Sequence, residues 1–224
     1  PNTELKVKFI RNEDSFSLLS AEDAAATKLT ISNLKLSVRK ITVDPLYKAA
    51  QEKKLETHPA IYPLTQSKIK TFQIPTGTSS IEIPSIIQGN LPRSVIIGFV
   101  NSKAFNSKCD GNPFYFQNFG INSFNLKRNG SPIVPTPFQP DFANNNYMRE
   151  YRWFLDNCGI AHENDGNDIS FREFGTNSMF WCFDLTPDLC NSFHLHETKQ
   201  GNLDVNIGFK SALENGIHMI VYAS

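Results

Sequence analysis

Leu203-Asp204-Val205-Asn206-Ile207-Gly208-Phe209-Lys210 alternates apolar and polar residues without a break. Successive side chains of a strand point to opposite faces, so Leu203, Val205, Ile207 and Phe209 fall on one face. That is a half-buried β-strand. The same period of two recurs along the chain. Leu5, Val7 and Phe9 alternate with Lys6 and Lys8; Leu34, Leu36 and Val38 alternate with Lys35, Ser37 and Arg39. Ile69 to Pro75 repeats the pattern, and Ile217, Met219 and Val221 give a final strand. Arg93 to Asn101 is nearly continuous in apolar residues (Val95, Ile96, Ile97, Phe99, Val100) and reads as a strand buried on both faces.

Turn residues separate these runs. Asn129-Gly130, between Phe124–Arg128 and Ser131–Val134, has the form of a two-residue hairpin turn. Pro132 and Pro135 place the second arm at a sheet edge or in a loop, since proline cannot donate to a ladder. Three helical segments interrupt the strands. Asp44-Pro45 pairs an N-cap acid with a first-turn proline and starts a helix to about Glu56, with Leu46, Ala49 and Ala50 on one side. Asn144 to Cys158 repeats Tyr147, Tyr151, Phe154 and Leu155 at helical spacing, and Gly159 stops it. Ser170-Phe171-Arg172-Glu173 is a capping box that opens a short turn.

The sum is about eight strands with helices in the connections, without the regular strand–helix alternation of a parallel doubly wound sheet. The fold class is mainly β: an antiparallel β-sandwich of the jelly-roll kind with helices inserted in its loops. The 224 residues are expected to form one domain, residues 1–224.

Composition narrows the function. Lys+Arg and Asp+Glu number 22 each, so the chain lacks the basic excess of a nucleic-acid-holding surface, and direct nucleic-acid binding is not expected. Near-zero charge permits close self-association. Phe occurs 18 times and suits a sandwich core or a subunit interface. No apolar run is long enough to span a bilayer, and no signal peptide is visible.

Catalytic and metal motifs are sparse. Phosphate-loop and dinucleotide fingerprints are missing, as is a serine-hydrolase elbow. Cys109, Cys158, Cys182 and Cys190 show no C-x-x-C spacing and read as free thiols. Cys182, Cys190, His194 and His196 could ligate zinc only by converging in space. The cysteine spacing is too wide for a zinc knuckle, and buried cysteines beside a loop histidine pair is the preferred reading. Glu163 to Asp168 resembles a calcium loop, but position 12 counted from Asp165 is Thr176 rather than a bidentate Glu. Asp141, Glu150, Asp165 and Asp168 could supply a glycosidase pair only if two converge. Tyr147, Tyr151 and Trp153 could form an aromatic surface for subunit contact or for sugar, or could simply cover the sandwich. No catalytic residue, metal or cofactor is assigned, and the chain is expected not to be an enzyme.

An ordered series of segments carries a family resemblance. Leu36-Ser37-Val38-Arg39-Lys40-Ile41-Thr42-Val43 is followed by a helix, then Ala60-Ile61-Tyr62-Pro63-Leu64 and Lys70-Thr71-Phe72-Gln73-Ile74-Pro75. Next comes Gly89-Asn90-Leu91-Pro92-Arg93-Ser94-Val95-Ile96-Ile97-Gly98-Phe99-Val100, then Ala104-Phe105-Asn106 and Asn112-Pro113-Phe114. Gln139-Pro140-Asp141-Phe142, Asp165-Gly166-Asn167-Asp168-Ile169-Ser170, Phe183-Asp184-Leu185-Thr186-Pro187-Asp188-Leu189, Lys199-Gln200-Gly201-Asn202-Leu203 and Val221-Tyr222-Ala223 complete the series. Together, from about Leu34 to Ala223, they resemble the hexon-like major capsid protein of Maverick/Polinton elements and adintoviruses. The resemblance implies the C-terminal roll of a double jelly-roll protein, found in trimeric capsomers of an icosahedral virion shell. The implied partners are copies of itself and penton and minor capsid proteins. A carbohydrate-binding jelly-roll module is the alternative.

Overall fold

The structure, a computed structural model, describes residues 6–19, 28–62, 64–106, 111–159, 166–187 and 197–224. It divides into two compact units, Leu29–Gln66 and the remainder, Pro1–Lys28 with Ser67–Ser224.

The larger unit contains eight strands among its described residues: β1 (Lys68–Ile74), β2 (Ser80–Asn90), β3 (Ser94–Asn101), β4 (Ile121–Arg128), β5 (Ser131–Pro132), β6 (Phe180–Asp184), β7 (Gln200–Phe209) and β8 (Ile217–Ala223). They form two antiparallel sheets, ordered β1-β8-β3-β6 and β2-β7-β4-β5. The pairings β1–β8, β2–β7, β3–β6 and β4–β5 are nested one inside the next. The chain is therefore one long antiparallel ribbon folded at a single tip, then rolled so that β3 meets β8 and β4 meets β7. This wrapping is the eight-stranded jelly roll.

The tip is Asn129-Gly130. Arg128 pairs with Ser131, and φ is 52° at Asn129 and 80° at Gly130, the left-handed pair of a type I′ turn. The short β5 ends at Pro132 on the sheet edge, as the prolines require. Between β5 and β6 the chain carries a 3-10 turn (Phe142–Asn144) and the helices α4 (Met148–Asn157) and α5 (Phe171–Thr176). The short helices α1 (Asp14–Ser17) and α3 (Ser102–Phe105) belong to the same unit, while α2 (Pro45–Leu55) belongs to the smaller one.

Alternation fixes which residues fill the roll. Leu203, Val205, Ile207 and Phe209 are buried from β7, and Ile217, Met219 and Val221 from β8. β3 is buried on both faces over Gly98–Val100. Aromatic rings tie the sheets together: Phe124 of β4 stacks on Trp181 of β6 (4.1 Å, 5°) and meets Phe99 of β3 edge-on (6.5 Å). Aromatic pairs of this geometry add about 0.5–1.5 kcal/mol each beyond area burial. The phenylalanine-rich core is thus real, with Phe99, Phe124, Phe138, Phe174 and Phe183 all under 2% exposed.

Several expectations are corrected. Val7 and Phe9 are exposed and outside any strand, and Leu5 lies outside the described residues. Leu34, Leu36 and Val38 are also exposed and form no strand, because no neighbouring strand pairs with them among the described residues. Two strands without clean alternation take their places in the roll. β2 is broken by a bulge between Ile83 and Ile87, where Ser85 adopts φ 54° and its N–H donates to Asp204 Oδ1 (2.8 Å). β6 (Phe-Trp-Cys-Phe-Asp) is short and apolar throughout most of its length. The helix expected from Asn144 begins only at Met148, since Asn145 ends the preceding 3-10 turn in the left-handed region (φ 55°). At its far end Gly159, at φ 88°, provides the stop.

In the smaller unit, Asp44 caps α2 by accepting from the Leu46 N–H (2.8 Å), with Pro45 in the first turn. Leu46, Ala49 and Ala50 do not form a buried side, for α2 buries no residue. Every described residue of Leu29–Gln66 is exposed.

Candidate functional site

The insertion between β5 and β6 holds most of the residues with candidate chemistry. Ser170 starts α5 through a complete capping box: its Oγ accepts from the Glu173 N–H (3.3 Å), and Glu173 Oε2 accepts from the Ser170 N–H (2.9 Å). The Ser170 hydroxyl and N–H hold the Glu173 carboxyl below its ordinary value. α4 and α5 are joined by aromatic packing. Tyr147 is buried, stacks on Phe171 (4.3 Å) and donates from Oη to the Phe171 carbonyl (3.3 Å). Burial raises the Tyr147 phenol above its ordinary range. Tyr151 is half-buried and donates to the Ile169 carbonyl (2.9 Å). Trp153, also half-buried, donates from Nε1 to the Cys182 carbonyl (2.8 Å) and meets Phe138 edge-on (5.4 Å). The three rings therefore share no open platform. Their polar ends are turned to backbone carbonyls of the same unit, as partly buried Tyr and Trp require.

The carboxylates are similarly engaged. Glu150 is buried and accepts from the Gln139 N–H (3.2 Å). Asp141 accepts from Asn144 Nδ2 (2.6 Å) and faces Lys210 Nζ (3.8 Å); the Asn144 bond first, then the Lys210 charge, lowers its pKa. Asp168 sits at φ 53° next to the Ser170 cap. Glu163 and Asp165 lie outside the described residues, as do Cys109, Cys190, His194 and His196. Burial, reinforced by the Cys158 charge, pushes the Cys182 thiol well up. No group of three or more His, Cys, Asp or Glu side chains converges among the described residues.

A polar cluster that sequence reading missed lies on β8. His218 is central in its sheet, between Gln73 of β1 and Val100 of β3. Its Nδ1 is 2.8 Å from the Ser102 hydroxyl, and its ring stacks on Phe105 of α3 (4.2 Å). Burial lowers its pKa. The alternation around Ile217 and Met219 signalled an outward-facing residue at 218, but nothing local linked it to Ser102, 116 residues earlier.

Two open clefts of about 310 Å³ are present. One is bordered by Arg128, Asp184, Thr186 and Lys199, where Asp184 Oδ1 already accepts from the Thr186 hydroxyl (2.6 Å) and N–H (2.9 Å). The other lies within the smaller unit, between Lys54, Leu55 and Ala60–Tyr62.

The largest chemical feature is apolar. Exposed large hydrophobics concentrate in Leu29–Gln66, where thirteen occur, from Leu29 (40%) to Leu64 (88%). The larger unit shows fewer: Val7, Phe9, Ile10 and Leu19 before the roll, and Ile69 of β1, Phe114, Tyr115 and Met148. No described helix is long and apolar enough to cross a membrane.

The fold places the larger unit in the class of eight-stranded jelly rolls. Among known proteins, the chain is similar to the uncharacterized protein F54H12.2 of Caenorhabditis elegans, 26% identical over 165 residues. That match takes in 72% of this chain and 39% of the worm protein, so the chain spans about two fifths of its relative. A chain in the 3.5 Å cryo-EM structure of the Sputnik virophage is similar over 70% of this chain and 35% of that one, at 14% identity and a TM-score of 0.39. No family model matches.

Proposed function

We propose that the chain is a structural capsid subunit, the C-terminal roll of a hexon-like double jelly-roll protein, and that it works through surface complementarity rather than catalysis. One observation carries the reading: a complete nested ribbon whose interior is filled by Trp181, Phe124, Phe138 and their neighbours. A roll packed in this way has its loops and edges left for contact with other subunits. The ordered sequence likeness from Leu34 to Ala223 points to the Maverick/Polinton and adintovirus group. On this reading the partners are copies of itself with penton and minor capsid proteins, and the site of action is the virion shell.

Stable assembly needs interfaces of about 800 Å² per partner or more. The natural reading frame, expressed whole and viewed by negative-stain electron microscopy, is expected to give trimeric capsomers or closed shells. A purely monomeric product over a range of salt and pH would refute the capsid reading. The inward orientation of Tyr147, Tyr151 and Trp153 leaves the carbohydrate-binding alternative without an observation in its favour.

A further inference from the structure

We propose that β6 is a pairing edge for a second copy of this chain, held closed by α4, whose Trp153 and Asn157 occupy the backbone groups that an added strand would use. The inference goes beyond the assembly reading, because it concerns a contact that the folded roll withholds.

The first ground is the set of sheet edges. Four strands end the two sheets: β1 and β6 in one, β2 and β5 in the other. An edge strand leaves a row of backbone N–H and C=O groups open to another chain, and charged side chains, prolines and bulges blunt it. β1 carries Lys68 and Lys70. β2 is interrupted by Pro84 and a bulge, and β5 is two residues long and ends at Pro132. Phe180-Trp181-Cys182-Phe183 of β6 has none of these devices. It is uncharged, mostly aromatic and free of Gly and Pro, the composition of a self-pairing segment.

The second ground is what stands on that edge. Antiparallel pairing of β6 with β3 uses the backbone of alternate residues, and the series continues where the Leu185 N–H donates to the Arg93 carbonyl (2.7 Å). Cys182 and Asp184 alternate with these residues and turn their backbone groups away from β3. The Cys182 carbonyl accepts from Trp153 Nε1 (2.8 Å), and the Asp184 N–H donates to Asn157 Oδ1 (3.2 Å). Trp153 and Asn157 are four residues apart and so neighbours on one face of α4. Asn157 Nδ2 donates to the Trp153 carbonyl (2.9 Å), and the Trp153 ring lies against Phe183 (5.9 Å). One indole N–H and one amide oxygen thus stand where the N–H and C=O of an added strand would stand.

The third ground selects the occupant. Strand addition draws affinity from the backbone and specificity from the side chains that meet. A second β6, set antiparallel with Cys182 opposite Cys182, brings aromatic side chains together and places each Asp184 opposite a Phe180, so no like charges meet. This contact is the same on both copies and closes at two. While α4 covers the edge, subunits meet through loops and side-chain surfaces instead.

The test compares the 224-residue chain with a Trp153→Phe/Asn157→Leu variant, which keeps both positions filled and removes both covering groups. Sedimentation velocity at up to about 100 μM is expected to show association at least about tenfold stronger in the variant. Adding Asp184→Pro deletes an outward N–H and should return association to the wild-type level. Leu203→Ala weakens the core without touching an edge, and it should associate no more than the wild type. A folded double variant that associates like the wild type overturns the proposal. So does association that Asp184→Pro leaves in place or that Leu203→Ala reproduces. If the double variant does not fold, amide exchange decides. Asn157→Ala should speed exchange of the Asp184 N–H by at least about tenfold and leave the Phe183 N–H unchanged. Equal rates at Asp184 in the two proteins overturn the proposal. The capsid reading is tested separately, by particle formation from the whole reading frame.

Discussion

Strand β7 and the stretch Leu34–Val43 carry the same kind of message in sequence and meet opposite fates. β7 lies between β2 and β4, and Leu203, Val205, Ile207 and Phe209 are at most 5% exposed. Leu34, Leu36, Val38, Ile41 and Val43 are 45–81% exposed and have no partner strand among the described residues. Alternation states that a segment has one apolar face. Whether that face is covered depends on strands far away in sequence, whose register must match. β7 finds them at Ser80–Asn90 and Ile121–Arg128; Leu34–Val43 does not find them within this chain's described residues.

The most direct way to break the comparison is one substitution made in both places. Leu203→Ala removes a fully buried side chain and should cost about 2–5 kcal/mol in urea denaturation. Leu36→Ala, at 58% exposure, should stay within about 0.5 kcal/mol at low protein concentration. Comparable losses at both sites would show that the second face is covered after all. The topological tip offers the next largest effect. Gly130→Val forces a β-branched residue into φ 80° and should cost about 1–2 kcal/mol, since the nested ribbon has no other place to turn.

These contrasts explain what the sequence made legible. Local grammar was readable: the Asn129-Gly130 turn, the Asp44 and Ser170 caps, the Gly159 stop and the alternating strands β1, β7 and β8. So were the sandwich class and the edge position of β5. Strands β2 and β6 escaped because one is bent by Pro84 and a bulge, and the other is a five-residue apolar run without periodicity. The Tyr147–Trp153 set was readable as aromatic but not as inward-facing, because its partners, the carbonyls of Phe171, Ile169 and Cys182, are 18–29 residues away. Pairing between Ser102 and His218 had no local trace at all.

The two helix caps sharpen the comparison at a smaller scale. Ser170→Ala should destabilise the roll by about 1 kcal/mol, because α5 is anchored by the buried Phe174. Asp44→Ala removes a cap of similar quality from α2, which buries nothing. It should lower helical circular dichroism while leaving the roll's denaturation midpoint in place. A matching drop in that midpoint would mean that α2 is coupled to the roll.

The smallest effect is a pH dependence confined to the roll. Burial under Phe105 disfavours the charged form of His218, which has the Ser102 hydroxyl on Nδ1, Gln73 and Val100 on the flanking strands, and Lys103 as the cation on the covering helix. Its folded pKa lies below the ordinary imidazole value of 6.5. As pH falls through 6.5 the unfolded chain takes up a proton that the folded chain refuses, so stability declines from that point until the folded pKa is passed, then levels off. Asp141 and Glu173 shift in the same direction but in a lower pH range: their lowered values give stability that is lost only as pH falls below their ordinary 3.8 and 4.5. The window between about pH 7 and 5 therefore isolates His218 from these two carboxylates. Urea midpoints measured across it should fall for the wild type and fall less for His218→Gln, whose amide can keep a hydrogen bond to Ser102. Equal slopes for the two proteins would place the proton elsewhere and remove the link between β8 and α3.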